Sequence, residues 1–274
     1  MPTTTLNGVS IAYDDIAPAG PPQRTILLLH GFASNRNEGW RRTGWYGAFE
    51  RRGIRVIALD QRGHGESVRS HDPADYGRPQ LAADALALLD QLGVGRCDVF
   101  GYSMGAATGL RFAIDYPEKV DQLVAASVGY DISGWQPAFR DFIPQMAPEM
   151  FVGTPMEDEW KKLAPNPDGF RAVVEKLIAL EHEPFAWEEE VKTLKAPMLI
   201  IAGDADVSTL EHNVALFRLL GGGEMGDMGV PLPASRLAVL PATSHTAVIN
   251  QTDLLYGFIE PFLQGETPAG FMGQ

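Results

Sequence analysis

Cysteine is nearly absent: Cys97 is the single one among 274 residues. That excludes an internal disulfide and any thiolate-rich metal site. Positive charge is scarce too. Only 22 Lys and Arg stand against 35 Asp and Glu, a formal net charge of −13, and no basic cluster offers a phosphate backbone a footing, so nucleic acid is not an expected partner. Long hydrophobic runs are missing: nothing approaches the ~20 apolar residues of a membrane-spanning helix, so no membrane partner is expected. The start, Met1-Pro2-Thr3-Thr4-Thr5, lacks both the basic and the apolar stretch of a secretory signal, and a cytoplasmic location is the expectation. The six histidines show no H-x-x-x-H spacing with acids nearby, so no metal ligand is expected among them.

What is present is a soluble globular composition, with 45% hydrophobic residues, 29 Gly and 20 Pro, enough to bury a sizeable core. Leu6 and Val9 to Tyr13, split by Asn7-Gly8, read as a hairpin with a two-residue turn. Apolar runs follow at Thr25–Leu29, Arg55–Leu59, Asp98–Phe100, Gln122–Ser127, Met198–Ala202 and Leu237–Leu240. Runs that are uniformly apolar rather than alternating suit parallel strands covered on both faces. Helical patterns fill the gaps: Gln80–Leu92 ahead of Gly93, the Gly/Ala-rich Ser103–Tyr116 ahead of Pro117, Ser208 (with capping-box spacing to Glu211) through Gly221, and Asp253–Leu263 with Pro261 bending it. Strand and helix alternating in this way define an α/β domain with a mostly parallel sheet.

Two segments break the alternation. Residues 131–190 contain no convincing strand but eight Phe or Trp residues, enough to build a small helical excursion over the sheet. Gly221-Gly222-Gly223 through Pro233 is too rich in glycine to be anything but a loop. Cys97 precedes a buried strand and reads as an inert core thiol. His71, His182 and His212 read as surface or helix residues.

The chemistry concentrates at Gly101-Tyr102-Ser103-Met104-Gly105. G-x-S-x-G between a strand and a helix sets a serine on a sharp turn, its hydroxyl clear of the sheet and near the positive end of a helix dipole. A serine hydroxyl needs a base, and a histidine base needs an acid to fix its tautomer. Candidates follow in the right order: Asp204 and Asp206 after the run ending at Ala202, and His245 after the run ending at Leu240. All fall beyond the carboxyl ends of strands, where active groups gather in an open parallel sheet.

With these residues in view the chain resembles the α/β-hydrolase fold family over almost its whole length. His30-Gly31-Phe32 resembles the family's His-Gly turn, Asp60-Gln61-Arg62-Gly63-His64-Gly65-Glu66-Ser67 its Asp-x-Arg-Gly-x-Gly-x-Ser segment, and Gly101 to Gly105 its nucleophile elbow. The resemblance implies a mostly parallel central sheet of about eight strands flanked by helices. Residues 1–130 and 191–274 would form the core, and 131–190 a helical cap insertion. It implies Ser103 as nucleophile, His245 as general acid/base and Asp206 as orienting carboxylate. Asp204 and Asp131 remain alternatives for the acid, and Asp204 otherwise reads as a turn residue capping local N–H groups. The backbone N–H groups of Phe32 and Met104 would form the oxyanion hole. His30 and His64 would shape loops, and Asp60 would stabilise its turn.

The expected activity is hydrolysis of a small to medium, largely neutral carboxylic ester, with no cofactor and no metal. Trp135, Phe139, Phe142, Met146, Met150 and Phe151 are candidates to line an apolar pocket in the cap, although such residues also build a cap's own core. Residues 131–190 hold 13 acids and 5 bases, a balance expected to disfavour anionic substrates. Tyr102 and Thr246 stand where the carbon–carbon bond hydrolases typically show Asn and Trp, which weakens that reading. C–C hydrolysis, lactonase, amidase and cofactor-free perhydrolase chemistry, or a non-catalytic ligand-binding role, share these residues and stay open, as does homo-oligomerisation.

Overall fold

Which strands are buried on both faces decides the sheet. In the computed structural model, which describes residues 2–67, 72, 75–164, 169–226 and 231–268, β1 (Thr3–Leu6) and β2 (Val9–Ile16) pair antiparallel across Asn7-Gly8. Both turn residues have positive φ, 49° and 80°, the conformation that makes Asn-Gly favourable in a two-residue hairpin. The remaining strands are β3 (Arg24–Leu29), β4 (Ile54–Leu59), β5 (Cys97–Tyr102), β6 (Val120–Ala126), β7 (Met198–Ala205) and β8 (Arg236–Ser244). They form one sheet in the order β1-β2-β4-β3-β5-β6-β7-β8, parallel from β4 to β8, with β2 antiparallel to β4. The central strands β3, β5 and β6 are almost wholly buried, whereas the edge strand β8 is largely open to solvent. This matches the uniformly apolar runs of the sequence.

Helices α1 (Trp45–Glu50), α2 (Arg78–Gln91) and α3 (Met104–Asp115) come before β6. Between β6 and β7 come α4 (Pro137–Phe142), α5 (Pro155–Leu163), α6 (Phe170–His182) and α7 (Glu188–Val191), followed later by α8 (Leu210–Leu219), α9 (His245–Val248) and α10 (Thr252–Leu263). Side chains alternate across the sheet with period two. Leu27, Leu29, Ile57, Val99 and Leu123 pack under α2, α3 and α8, while Ile26, Leu28, Val56, Phe100 and Val124 pack under α1 and α10. On the second face the Phe100 ring lies 4.8 Å from both Trp40 and Trp45. Among the described residues no helix is long and apolar enough to cross a membrane.

One local expectation shifts. The helix expected from Ser208 begins after Thr209, whose hydroxyl accepts from the His212 N–H at 3.2 Å. Ser208 is instead buried and accepts from Asn213 Nδ2. The short α1 and α9, of 6 and 4 residues, carry too few turns for a periodicity to register. In the glycine-rich loop after α8, Gly221 and Gly223 take φ of 83° and 89°, and 227–230 lie outside the described residues.

Helices α5 and α6 gather around Trp160, Phe170, Val173, Val174, Leu177 and Ile178, with Tyr76 from before α2. Isolated bridges, Asp131 with Ala186 and Trp135 with Ser208, tie the segment between β6 and β7 together and to the start of α8.

The elbow itself is a matter of clearance. A Cβ at Gly101 would fall on the backbone of Gly105 and Ala106, and one at Gly105 on the carbonyls of Leu29 and His30. The helix thus starts in contact with the neighbouring strand, which only glycine permits. Gly105→Ala is therefore expected to cost about 3 kcal/mol or more, read as a lower urea midpoint. An unchanged midpoint would mean that the strand gives way freely.

Candidate active site

Ser103 sits at φ 55°, ψ −121°, a left-handed strain that a non-glycine residue keeps only when its surroundings enforce it. Here β5 ends, α3 begins, and the Ser103 N–H is tied to the Ala126 carbonyl at 2.9 Å. Its Oγ lies 3.0 Å from His245 Nε2. On the far side of the ring, Nδ1 lies 2.7 Å from Asp206 Oδ1. The structure therefore brings together three residues that the sequence set on the ends of β5, β7 and β8.

Asp206 is buried, and four groups hold it. Besides His245 it accepts from Ser127 Oγ at 2.6 Å, the Gly203 N–H at 3.2 Å and the Val207 N–H at 2.7 Å. Burial works to raise its carboxyl, but the His245 hydrogen bond and charge, with Ser127 and Gly203, outweigh it and hold the group below the usual carboxylate range. Asp204 does something else. It is exposed and accepts from the Ala242 and Thr243 N–H groups at 2.8 and 3.0 Å, clamping the end of β8 just before His245. The local capping expected of it is thus a long-range clamp. Asp131 accepts from the Ser133 N–H at the head of a short turn. Of the three carboxylates, only Asp206 is bonded to His245.

The two candidate oxyanion donors flank the serine. A Cβ on Gly31 would meet Ser103 Cβ at 3.4 Å, so the His30-Gly31-Phe32 turn lies against the elbow, and Met104 opens α3 directly after the serine. Phe32 and Met104 pack with Leu180 of α6.

His30 and His64 hold loops. His30 accepts from the Gln61 N–H at 3.0 Å and His64 from the Ala33 N–H at 3.2 Å, their rings edge-on at 5.0 Å. Burial, followed by neighbouring His64, pushes His30 well below its ordinary 6.5. The folded state thus keeps it neutral, and its contribution to stability, complete at higher pH, is lost as pH falls below 6.5. Stability should drop by about 1.4 kcal/mol per pH unit on its account. His30→Gln, which keeps an acceptor for Gln61, should flatten that slope in urea titrations between pH 6.5 and 5 (roughly the first decade of protonation); an unchanged slope would assign it to other groups. Asp60 accepts from the Arg36 and Glu66 N–H groups and pairs with the buried Arg36 guanidinium, as a turn stabiliser does. His212 is on α8 but buried, stacked on Tyr130. His182 is exposed, and His71 lies outside the described residues. Cys97 is buried, and burial pushes its thiol up, away from the reactive thiolate.

The six candidate pocket residues separate. Phe142 and Met150 are on the surface, 43% and 48% exposed. Met146 and Phe151 pack on the Trp160 and Phe170 core, with Phe151 also edge-on to Phe32. Phe139 leans on Trp135. Trp135 alone of the six borders the cavity of about 370 Å³ that also touches Ile132, Ile143 and Glu181. A larger cleft, about 640 Å³, lies at the amino ends of β3 and β5 among Arg24, Arg96 and Asp98, at the opposite end of the sheet from Ser103.

Several site residues escaped the sequence reading. Tyr102 stacks on the His245 ring at 5.3 Å and donates from its hydroxyl to the His245 carbonyl at 2.9 Å. Ser127, which donates to Asp206, and Leu180, which packs on Met104 and Phe32, are the others. Only Ser127 carried a signal, a polar residue closing an apolar run beside the elbow strand. Among the described residues no group of three or more His, Cys, Asp or Glu side chains gathers to hold a metal.

Comparison with known proteins agrees with the geometry at the level of the fold. Residues 24–172 match the family model described as alpha/beta hydrolase fold. The chain is 25% identical over 95% of its length, and 97% of the relative's, to a Bacillus subtilis protein provisionally named 2-succinyl-6-hydroxy-2,4-cyclohexadiene-1-carboxylate synthase. It is 27% identical to 3-oxoadipate enol-lactonase 2 of Acinetobacter baylyi, covering 76% of this chain and 80% of that one. Among solved structures, an alpha/beta hydrolase enzyme from a deep-sea metagenome library superposes with a TM-score of 0.73 at 18% identity, over 98% and 99% of the two chains. Strand order, the serine elbow and the family match converge on one conclusion: this chain belongs to the alpha/beta hydrolase fold family.

Proposed function

We propose that the chain hydrolyses a small to medium, largely neutral carboxylic ester in two steps through an acyl-enzyme on Ser103. The observation that carries this reading is the relay Ser103 Oγ–His245 Nε2 at 3.0 Å and His245 Nδ1–Asp206 at 2.7 Å, on an elbow strained to positive φ. In the first step Ser103 Oγ bonds to the ester carbonyl carbon while its proton passes to His245 Nε2. The N–H groups of Phe32 and Met104 receive the negative charge that develops on the carbonyl oxygen. The carbon–oxygen bond to the alcohol then breaks, and His245 returns the proton to the leaving oxygen. In the second step water attacks the acyl carbon and gives a proton to His245, which hands it back to Ser103 as the acid leaves. Asp206 keeps the Nδ1–H tautomer throughout and stabilises the imidazolium. Tyr102 and the Asp204 clamp keep the ring in place.

A lactone is the cyclic form of the same bond, and the enol-lactonase relative supports including lactones in the substrate class. Neutrality follows from the 13 acids against 5 bases in residues 131–190. A fluorophosphonate is expected to label the chain at Ser103 and to abolish turnover of a neutral p-nitrophenyl ester. Turnover that survives stoichiometric labelling, or a label on another residue, would defeat the proposal.

A further inference from the structure

We propose that His64 is a positioning residue for the oxyanion turn: its Nε2 accepts the Ala33 N–H and so holds the turn that aims the Phe32 N–H. This deepens the ester reading above and rests on it. The turn runs from Gly31 to Ser34, whose N–H donates back to the Gly31 carbonyl at 3.3 Å. Ala33, its third residue, has a φ of 61°, and Phe32 before it does not take positive φ. Positive φ at the third position alone marks a type II turn, which ordinarily places glycine there. Alanine is strained in that conformation, and reversing the Phe32–Ala33 peptide would give the type I turn, which suits it.

His64 stands against that reversal. Its Nε2 lies 3.2 Å from the Ala33 nitrogen and its Nδ1 3.1 Å from the Arg62 carbonyl. A carbonyl can only accept, so Nδ1 carries the proton and Nε2 keeps the lone pair that the Ala33 N–H needs. The reversed peptide would turn a carbonyl toward that lone pair. The chain on either side of His64 is built to deliver the ring. Gly63 and Gly65 take φ of 82° and 51°. A Cβ on Gly65 would fall on the Asp60 carboxylate, and one on Gly63 would meet the Tyr76 ring, so this bend is tighter than other residues allow. His64 is buried there, edge-on to His30 and to Phe32 with ring centroids 5.0 and 6.4 Å apart.

The turn in its place stands against the nucleophile. A Cβ on Gly31 would meet Tyr102 Cδ1 at 3.1 Å as well as Ser103 Cβ. The Gly31 carbonyl, on the same peptide as the Phe32 N–H, accepts from His30 Nδ1 at 2.8 Å. With one peptide fixed by His30 and the next by His64, the Phe32 N–H is aimed before substrate arrives, and such preorganisation is what gives an oxyanion donor its value.

The test compares His64→Leu, which removes the acceptor, with His64→Gln, whose Oε1 can take the place of Nε2. In His64→Leu, kcat for a neutral p-nitrophenyl ester should fall about ten- to a hundredfold, less than for deleting a donor outright. KM should move by no more than about threefold, and His64→Gln should recover most of the loss. Adding Ala33→Gly to His64→Leu should restore part of it, because glycine takes positive φ without strain. The ratio of kcat/KM for an oxoester over its thionoester should also fall in His64→Leu, since sulfur is a larger and weaker acceptor than the oxyanion. A merely loosened loop lowers both esters alike. An unchanged ratio, or wild-type kcat in His64→Leu, therefore overturns the proposal. Should His64→Leu not fold, His64→Asn, too short to reach Ala33, carries the same expectations. If the wild type turns over no ester, the ester reading fails separately, and amide NMR decides on His64. Hydrogen exchange at Ala33 should then quicken and the Phe32 amide resonance shift in His64→Leu but not in His64→Gln. A Phe32 resonance that stays in place overturns the proposal.

Discussion

Ser103→Ala is expected to lower ester turnover by about 10⁶ while leaving the fold intact. Alanine keeps the Cβ and so the strain of φ 55°, which the contacts of Gly101 and Gly105 impose from outside. Among the described residues the one Oγ hydrogen bond lost is that to His245, at a partly solvated position, so the thermal midpoint should move by no more than the equivalent of about 1 kcal/mol. The residual rate would come from the oxyanion donors and binding alone. Burst and steady-state kinetics on a chromogenic ester measure the loss, and a melting curve measures the fold. Retained turnover with intact melting would remove Ser103 from the chemistry.

Asp206→Asn should cost about 10⁴ in kcat. The amide can present an N–H to His245 Nδ1, which then becomes the acceptor, leaving Nε2 protonated and unable to take the serine proton. Ser127 Oγ and the Gly203 N–H, 2.6 and 3.2 Å from Asp206 Oδ2, favour the oxygen of an asparagine on their side and so turn the N–H toward the ring, at the cost of the Val207 N–H bond that Oδ1 accepts at 2.7 Å. Asp204→Asn should act differently. It weakens the clamp on Ala242 and Thr243 and should cost no more than about tenfold, because it leaves the tautomer alone. Asp131→Asn should leave kcat unchanged. A large loss in either of those variants, with Asp206→Asn near wild type, would reassign the acid. There is also a stability signature. The Asp206 carboxyl is depressed in the fold, so its stabilisation is present above 3.8 and is lost as pH falls through the lower folded value. Asn at this position removes that acid dependence.

The strands were legible in the sequence because burial on both faces leaves a run of apolar residues with no alternation. Val99 and Phe100 face opposite cores, yet both are fully buried. The elbow was legible for a related reason: two glycines around a serine are needed where backbone meets backbone. Short helices such as α9 were not, since four residues complete hardly more than one turn. Nor was the division of the aromatic residues in 131–190. Phe142 and Phe151 look alike in sequence, but one is 43% exposed and the other rests on Phe32. Which aromatic faces inward depends on how short helices pack on one another, and composition carries no trace of that.

By itself the sequence determined the alternation of strand and helix, the serine on its elbow, and an order of Ser, acid and His along the chain. Those properties depend on neighbouring residues and on the burial each segment demands. Only the tertiary structure decided that Asp206 rather than Asp204 or Asp131 meets His245, and that Tyr102 and Ser127 brace the pair. These contacts join residues 39, 143 and 79 positions apart. They depend on strand order and on the path of each loop beyond its strand end, and local sequence pattern encodes neither.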